Sequence, residues 1–362
     1  MTEDVARPLL SSRCSCRLPR RKLSQPCQEA LELHANHRTT IDRNFVLPYK
    51  LRMKVLVSGA TGLIGQKLCR RLDREGHQVT ILSRSLEKGK RLGFHTFAWQ
   101  PEVSAPDSAA LEGVDVVVHL AGEHIAAGRW TSEHKRRIRD SRVLSTRNMI
   151  AAMRAATVPP KAFICASAIG FYGDRGEEKL TEQSAPGTGF LAEVCQEWEA
   201  AAAAAREMGV RVAQARIGVV LAAPNDGGAL PQMLPAFKFG LGASLGNGTQ
   251  WFPWIHVEDV VGIFHHAIFN EAISTPINTV APNAVTNAEF TETLAETLHR
   301  PAFFAAPSFV LRLGLGEMAD LLLSSVRVIP AVALTTGYEF KYPILEAALQ
   351  HLLTERVTDT HP

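Results

Sequence analysis

The sequence predicts an α/β fold built on a doubly wound parallel sheet, and three observations predict it. From residue 53 onward, short β-branched and apolar runs alternate with segments whose apolar residues recur at helical spacing. A first strand, a helix and a second strand fit within about thirty residues, as a parallel crossover requires. Glycines stand where the first strand gives way to the helix. This alternation favours a parallel sheet with helices on both faces.

The elements can be taken in order along the chain. Predicted strands occupy residues 54–58, 78–82, 114–120, 162–166 and 211–221. Predicted helices occupy residues 64–75, 132–155, 190–207 and 286–299. The last helix has Thr286 or Asn287 as its cap and Glu289 as the partner in a capping box.

The strongest motif lies between the first strand and the first helix and has the spacing G-x-x-G-x-x-G. It reads Gly59-Ala60-Thr61-Gly62-Leu63-Ile64-Gly65. In this context the first glycine allows a tight turn, the second lets the backbone approach a pyrophosphate, and the third lets helix and strand pack closely. The N–H groups at the helix start then face the phosphates. We predict that Gly59, Thr61, Gly62, Leu63, Ile64 and Gly65 contact a dinucleotide in a Rossmann-type fold.

The second strand indicates which dinucleotide binds. NAD enzymes usually end this strand with a carboxylate that binds the ribose 2′-OH, whereas here Ser83-Arg84-Ser85 follows. Arg84 can pair with a 2′-phosphate and stack on adenine, and Ser83 can donate a further hydrogen bond. NADP is therefore the predicted cofactor.

Composition bounds the organisation of the chain and its partners. Residues 1–52 carry little periodicity and are interpreted as a disordered extension; a transit peptide stays open, and Met53 would be a natural start. Residues 53–225 form the predicted Rossmann domain, 226–350 a smaller, discontinuous substrate-side lobe, and 351–362 a tail. A net charge of +3 and the lack of a long apolar run give no reason to expect nucleic acid or a membrane as partner.

The six cysteines form no C-x-x-C pair, which is typical of a reducing, cytoplasmic setting. No metal-binding spacing is visible among the histidines. We expect a small-molecule substrate, and the sequence leaves a homodimer open.

At these residues the chain resembles the extended short-chain dehydrogenase/reductases, and within them the NADP-binding epimerase family proteins of the sugar-nucleotide epimerase superfamily. The resemblance covers roughly residues 53–350 and rests on segments at 57–65, 114–123, 166–173, 190–195, 216–221, 251–259, 316–319 and 336–340. It implies that the backbone of Leu120, Ala121 and Gly122 passes beside the cofactor, with Glu123 next in the loop.

The resemblance also implies that Arg142, Arg137 and Val220 lie near the cofactor. For Arg137, covering a helix face is an equal alternative. His256 and Asp259 are expected to fix the loop at the lobe boundary rather than to do chemistry.

Catalysis is where the chain departs from its relatives. They use a Ser and a Tyr-x-x-x-Lys pair, in which Lys lowers the pKa of Tyr so that the phenol exchanges a proton. Ser167 is present, but Leu191 and Cys195 stand at the Tyr and Lys positions. Ser167 and Tyr172 are the remaining candidate catalytic pair, with a structural role open for Tyr172. Cys195 is either an activated thiol or an inert buried one.

Two functions therefore compete at this stage. One is an NADP-dependent oxidoreductase or epimerase acting on a small hydroxylated or carbonyl substrate. The other is an NADPH-binding sensor or scaffold without turnover.

Overall fold

The structure, a computed structural model, describes residues 52–126 and 128–354. Its strands are, in chain order, Lys54–Ser58 (β1), Gln78–Ser83 (β2), His95–Ala98 (β3), Val116–His119 (β4), Ala162–Ala168 (β5), Lys179–Leu180 (β6), Arg211–Ile217 (β7), Val219–Leu221 (β8), Ala243–Leu245 (β9), Trp251–Phe252 (β10), Trp254–His256 (β11), Pro276–Thr279 (β12), Val285–Thr286 (β13), Phe304–Ala306 (β14) and Arg327–Val328 (β15). The α-helices are Leu63–Arg74 (α1), Leu86–Arg91 (α2), Ser132–Ala155 (α3), Phe190–Ala203 (α4), Leu230–Lys238 (α5), Val257–Phe269 (α6), Asn287–Thr297 (α7), Ser308–Leu315 (α8), Asp320–Leu323 (α9), Ala331–Thr335 (α10) and Leu345–Thr354 (α11).

The predicted doubly wound sheet is confirmed. Seven parallel strands lie in the order β3-β2-β1-β4-β5-β7-β12. The order reverses between β1 and β4, and ligands of such sheets bind outside the carboxyl ends of the strands at that point. The glycine motif lies there, because it directly follows β1.

Two strands of the sheet were missed by the sequence analysis, and a third was drawn too long. The edge strand β3 and the distal strand β12 are only four residues each. The predicted strand at 211–221 is in fact β7 and β8, which part at Gly218. A Cβ on Gly218 would lie 2.8 Å from Cγ1 of Val280, so only glycine allows this close crossing. After it, β8 leaves the sheet and pairs with β11.

A second, smaller core lies beside the sheet. Its buried side chains come from α5, α7 and α11, among them Leu234, Phe290 and Leu349. The predicted capping box is present at α7: the Thr286 hydroxyl accepts from the Glu289 N–H at 3.2 Å, and Glu289 accepts from the Thr286 N–H at 2.6 Å. The sheet takes β12 from beyond residue 225, so the lobe is interrupted in sequence.

The predictions for residues 1–52 and for the tail lie outside the described residues, apart from Arg52 and the end of α11. The domain boundaries as a whole stay predictions.

Candidate functional site

The glycine motif forms a tight turn pressed against the strand end that follows β4. Gly59 has φ of +71°, and a Cβ there would lie 2.6 Å from the carbonyl carbon of Leu120 and 2.8 Å from N of Ala121. A Cβ on Gly65 would lie 2.7 Å from Cα of Ala60. Neither position can hold a side chain without moving backbone. We call residues 59–65 the cradle.

The middle glycine is less crowded than the other two. A Cβ on Gly62 would meet only one atom within 4 Å, the Gly59 carbonyl oxygen at 3.3 Å. Gly62 also caps α1, whose first turn has no side-chain cap and no acidic residue. The N–H groups of that turn therefore remain available to an anion, and the helix dipole favours negative charge there. The cradle fits a pyrophosphate.

Arg84 follows β2 on the same edge of the sheet. It is exposed, and within residues 52–126 and 128–354 it makes no hydrogen bond or ion pair. Ser83 differs from the prediction: its buried hydroxyl donates to the carbonyl of Ser85 at 2.9 Å and accepts from the Ser85 N–H at 3.2 Å. The serine thus shapes the turn that presents Arg84, and its proton is already engaged.

Arg142 binds the backbone of the predicted cofactor-binding segment at residues 120–123. Its guanidinium donates to the Glu123 carbonyl and to the Ile138 carbonyl, each at 3.0 Å. A Cβ on Gly122 would lie 3.5 Å from its Cζ. Burial lowers the pKa of Arg142. The side chain therefore fixes the segment from Leu120 to Glu123.

Arg137 lies on the solvent-facing side of α3. It is about half exposed and pairs with Glu133 at 3.0 Å, one turn back on α3, with Glu123 4.0 Å away. Val220 lies on β8 opposite Ile255, partly exposed. Their contact with a cofactor stays a prediction.

A buried histidine lies next to the cradle, in contact with Ser58 directly before Gly59. His119, at the end of β4, contacts the Ser58 hydroxyl through Nδ1 at 2.6 Å and the Ser145 hydroxyl through Nε2 at 3.2 Å. Burial lowers the pKa of His119 to about 3. The ring is neutral at physiological pH and serves to join β1, β4 and α3.

The two candidate catalytic hydroxyls lie inside a closed polar network. Ser167 donates to Oε1 of Glu199 at 2.7 Å. Arg216 donates to both oxygens of Glu199 at 2.8 Å, and through Nη1 to the Tyr172 hydroxyl at 2.9 Å. We call these four residues the buried network. All are at most 9% exposed, so neither hydroxyl is open to a substrate in this structure.

The network continues toward the C-terminal segment. The Tyr172 hydroxyl lies 2.7 Å from Oδ1 of Asn278, and burial raises the pKa of this tyrosine. Glu182 accepts from the N–H groups of Asn278 and Val332 through Oε1, at 2.9 and 3.1 Å. These buried contacts join distant parts of the chain and so indicate a structural role. A catalytic role for Ser167 and Tyr172 stays a prediction.

Leu191 and Cys195 lie at the positions where relatives were expected to place Tyr and Lys. A Cβ on Gly170, just past β5, would lie 3.1 Å from Cβ of Leu191 and 3.8 Å from Sγ of Cys195. Burial raises the pKa of Cys195 to about 12. Of the two alternatives for this thiol, the structure supports the inert one.

Comparison with known proteins bears directly on this geometry. The model of the NAD dependent epimerase/dehydratase family matches residues 55–279, from β1 through β12. The chain belongs to that family. A second model, a domain of unknown function, matches residues 306–352. The family match brings a dinucleotide-binding fold of the extended short-chain dehydrogenase/reductase type, as the sequence predicted.

Relatives in this epimerase family align with most of this chain over their full length. The Bacillus subtilis epimerase family protein YfhF is 39% identical over 307 residues, which are 84% of this chain and 100% of the relative. The human epimerase family protein SDR39U1 is 37% identical over 305 residues, 83% of this chain and 100% of the relative.

Solved structures of epimerase family members agree. A crystal structure of human SDR39U1 with NADPH has a TM-score of 0.74 and 35% identity, covering 83% of this chain and 99% of that one. A nucleoside-diphosphate sugar epimerase from Corynebacterium glutamicum has a TM-score of 0.68 and 38% identity, over 83% of this chain and 58% of that one.

The segment 251–259, which contains β10, β11 and the start of α6, joins the two matched regions of this epimerase family chain. Asp259 accepts from the N–H of Lys341 at 2.7 Å, the N–H of Tyr342 at 2.9 Å and the hydroxyl of Tyr338 at 3.0 Å. His256 stacks on Tyr342 with ring centroids 3.8 Å apart. Both residues are fully buried. These contacts tie residues 256–259 to residues 338–342, and a role of His256 and Asp259 at a lobe boundary stays a prediction.

Residues 52–126 and 128–354 contain neither a candidate membrane-spanning helix nor a candidate metal-binding cluster. No helix there is long and apolar enough to cross a membrane. No group of three or more His, Cys, Asp or Glu there is placed to hold a metal ion.

Proposed function

We propose that this chain is an NADP(H)-dependent oxidoreductase or epimerase of the extended short-chain dehydrogenase/reductase type, acting on a small hydroxylated or carbonyl substrate. The cradle is the observation that carries it, because Gly59 and Gly65 admit no side chain and the N-terminus of α1 has no side-chain cap. The NADPH in the human SDR39U1 crystal structure supports the same cofactor.

The residues of the chain divide the work of binding. The N–H groups of the cradle would bind the pyrophosphate, and Arg84 would pair with the 2′-phosphate. Arg142 would keep the Leu120–Glu123 segment in place beside the cofactor. A bound nicotinamide supplies hydride chemistry, and the chain's contribution is to bind and orient it.

Choice of NADP over NAD is tested through Arg84. A charge-assisted pair to phosphate contributes about 1.5–3 kcal/mol, so NADPH should bind about tenfold or more tightly than NADH. Arg84→Ala should remove that preference by weakening NADPH alone, as measured by cofactor fluorescence.

Arg91→Ala is the matched control, since it removes the same charge from an exposed position at the end of α2. Equal binding of the two cofactors by the parent protein, or a preference that survives Arg84→Ala, would contradict the assignment.

One observation favours the alternative, a protein that binds NADPH without turnover. Leu191 and Cys195 supply no proton donor, and the hydroxyls of Ser167 and Tyr172 are enclosed. NADPH binding with no oxidation across a panel of aldehydes, ketones and nucleotide sugars would favour that alternative.

A further inference from the structure

Two positively charged side chains lie next to each other on the short ladder of β6 and β15. These parallel strands pair Lys179 with Arg327 and Leu180 with Val328. Paired residues of a ladder project to the same face, and successive residues of a strand project to opposite faces. Leu180 and Val328 are buried in one apolar cluster with Tyr172. Lys179 and Arg327 therefore both project to the other face.

Neither of these cations has a carboxylate partner. Within residues 52–126 and 128–354, Lys179 and Arg327 form no ion pair, and Nε of Arg327 is buried with no hydrogen-bond acceptor. Two positive charges on neighbouring strands repel each other, and a buried donor without an acceptor is costly. An anion bound between the two side chains would reduce both costs.

Trp251 in β10 orients the guanidinium of Arg327. Cζ of Arg327 lies 4.0 Å from the centroid of the Trp251 ring. The indole Nε1 donates to Glu177 at 2.7 Å, and the Trp251 N–H donates to the Ser325 hydroxyl at 3.1 Å. Both the ring and its backbone are therefore fixed. The planar donor group of Arg327 is held against a fixed surface, which lowers the entropic cost of binding a ligand.

The ladder is bonded to the segment that leaves the carboxyl end of β5. The Ser325 N–H donates to Oδ1 of Asp174 at 3.1 Å, and the Ser325 hydroxyl donates to the Gly176 carbonyl at 2.8 Å. Residues 169–178 lead from β5 to β6. Ligands of open α/β sheets bind outside the carboxyl ends of the strands. The two cations thus belong to segments that adjoin this edge of the sheet.

Two carboxylates on the segment before β6 limit which anion fits. Asp174 and Glu177 are engaged with Ser325 and Trp251, and in the described part of the chain neither forms an ion pair with the two cations. Their charges would repel a doubly charged phosphate more strongly than a singly charged carboxylate. The donor fork of an arginine also matches the two oxygens of a carboxylate.

We propose that Lys179 and Arg327 bind the carboxylate group of a small organic acid, on the face of the β6–β15 ladder that carries Trp251. This site goes beyond the proposed cofactor-binding function and does not depend on it.

The test uses the full-length protein with isotope-labelled tryptophan indoles, titrated with sodium acetate at constant ionic strength and observed by NMR without NADPH. The chain has five tryptophans, and the Trp251 signal is identified by its loss in Trp251→Phe. Acetate should shift this signal saturably, because it binds the guanidinium that packs on the ring. Acetamide, which is similar in shape but uncharged, should not.

Arg327→Gln should weaken acetate binding about tenfold or more, since hydrogen bonds to a charged group are lost. Lys179→Gln should weaken it about twofold to fivefold, because Lys179 is exposed. Glu177→Gln should tighten it, because the variant removes a negative charge and keeps an acceptor for the indole. Arg147→Gln, at another exposed arginine, is the matched control and should leave acetate binding unchanged.

Several results would overturn the proposal. They are no saturable shift of the Trp251 signal, an equal shift with acetamide, or undiminished acetate binding in Arg327→Gln. Tighter binding of inorganic phosphate than of acetate at neutral pH would overturn the assignment to a carboxylate. If Arg327→Gln does not fold, unchanged acetate binding in both Lys179→Gln and Glu177→Gln would overturn the site. Failure of NADPH to bind is a separate measurement and bears on the proposed function alone.

Discussion

The cradle and the buried network lie at the same edge of one sheet but are built in opposite ways. In the cradle the first turn of α1 has no side-chain cap, and Arg84 nearby makes no ion pair within the described residues. The network uses its polar atoms on itself, with Arg216 held between Glu199 and Tyr172. Polar groups without a partner in the protein can bind a ligand, whereas polar groups that bond to one another stabilise the fold. The structure therefore leaves the predicted cofactor-binding groups accessible, whereas the candidate catalytic hydroxyls of Ser167 and Tyr172 are enclosed.

Removing Arg216 should give the largest loss of stability. A small loss would contradict the view that the buried network stabilises the fold. Arg216→Ala leaves Glu199 buried and uncompensated, which typically costs about 3–5 kcal/mol. Urea unfolding followed by circular dichroism measures it. The double variant Glu199→Gln/Arg216→Met should recover part of the loss, because it removes both charges. A loss below about 1 kcal/mol in the single variant would mean that the pair is solvated.

A methyl group on the cradle should come next in size. Gly65→Ala forces Cβ against the Ala60 backbone, and overpacking of this kind costs about 1–3 kcal/mol. NADPH affinity should fall about tenfold or more, because the turn that places the N–H groups must shift. Gly314→Ala is the control, since a Cβ there meets nothing within 4 Å. Equal NADPH affinity in the two variants would show that the turn is not the binding element.

The buried His119 beside the cradle should make the free energy of unfolding depend on pH. The folded pKa of His119 is about 3 against an ordinary 6.5. The unfolded chain takes up this proton below about pH 6.5 and the folded chain does not, so stability present above that pH is lost as pH falls toward 3. One histidine contributes up to about 1.4 kcal/mol per pH unit.

His119→Gln should reduce the acid slope of the unfolding free energy by about that amount, measured in urea between pH 7 and 4.5. The control is His124→Gln at an exposed position, and it should have the same slope of unfolding free energy against pH as the parent protein. A slope unchanged by His119→Gln would mean that this ring is protonated in the folded protein.

The sequence predicted the cradle because each of its requirements is local. A strand, three glycines and a helix occupy consecutive residues, and glycine is the residue type that the geometry demands. The two missed strands lack such a signal. Strand β3 has a polar, partly exposed pattern, and β12 ends in Asn278 and Thr279, whose burial depends on neighbours distant in sequence.

The buried network could not be predicted in the same way. Glu199 and Arg216 are 17 residues apart, and Tyr172 and Asn278 are 106 apart. One signal was available: Arg216 interrupts an apolar strand, and a buried arginine requires a partner. That signal gives the need for a carboxylate and leaves its position open. Ser167 was therefore identified correctly as lying at the strand end, while its engagement with Glu199 was missed.

The clamp on Asp259 has a consequence for how the protein is made. A chain still in synthesis lacks two of the three partners of this buried carboxylate until Lys341 and Tyr342 have been made, and Glu182 lacks one of its two N–H partners until Val332 has been made. At about 5–20 residues per second, the interval between residues 182 and 342 lasts about 8–30 s. The buried carboxylates of Glu182 and Asp259 thus gain their last N–H partners only when residues 332–342 have been made, so these distant parts of the chain complete their packing together.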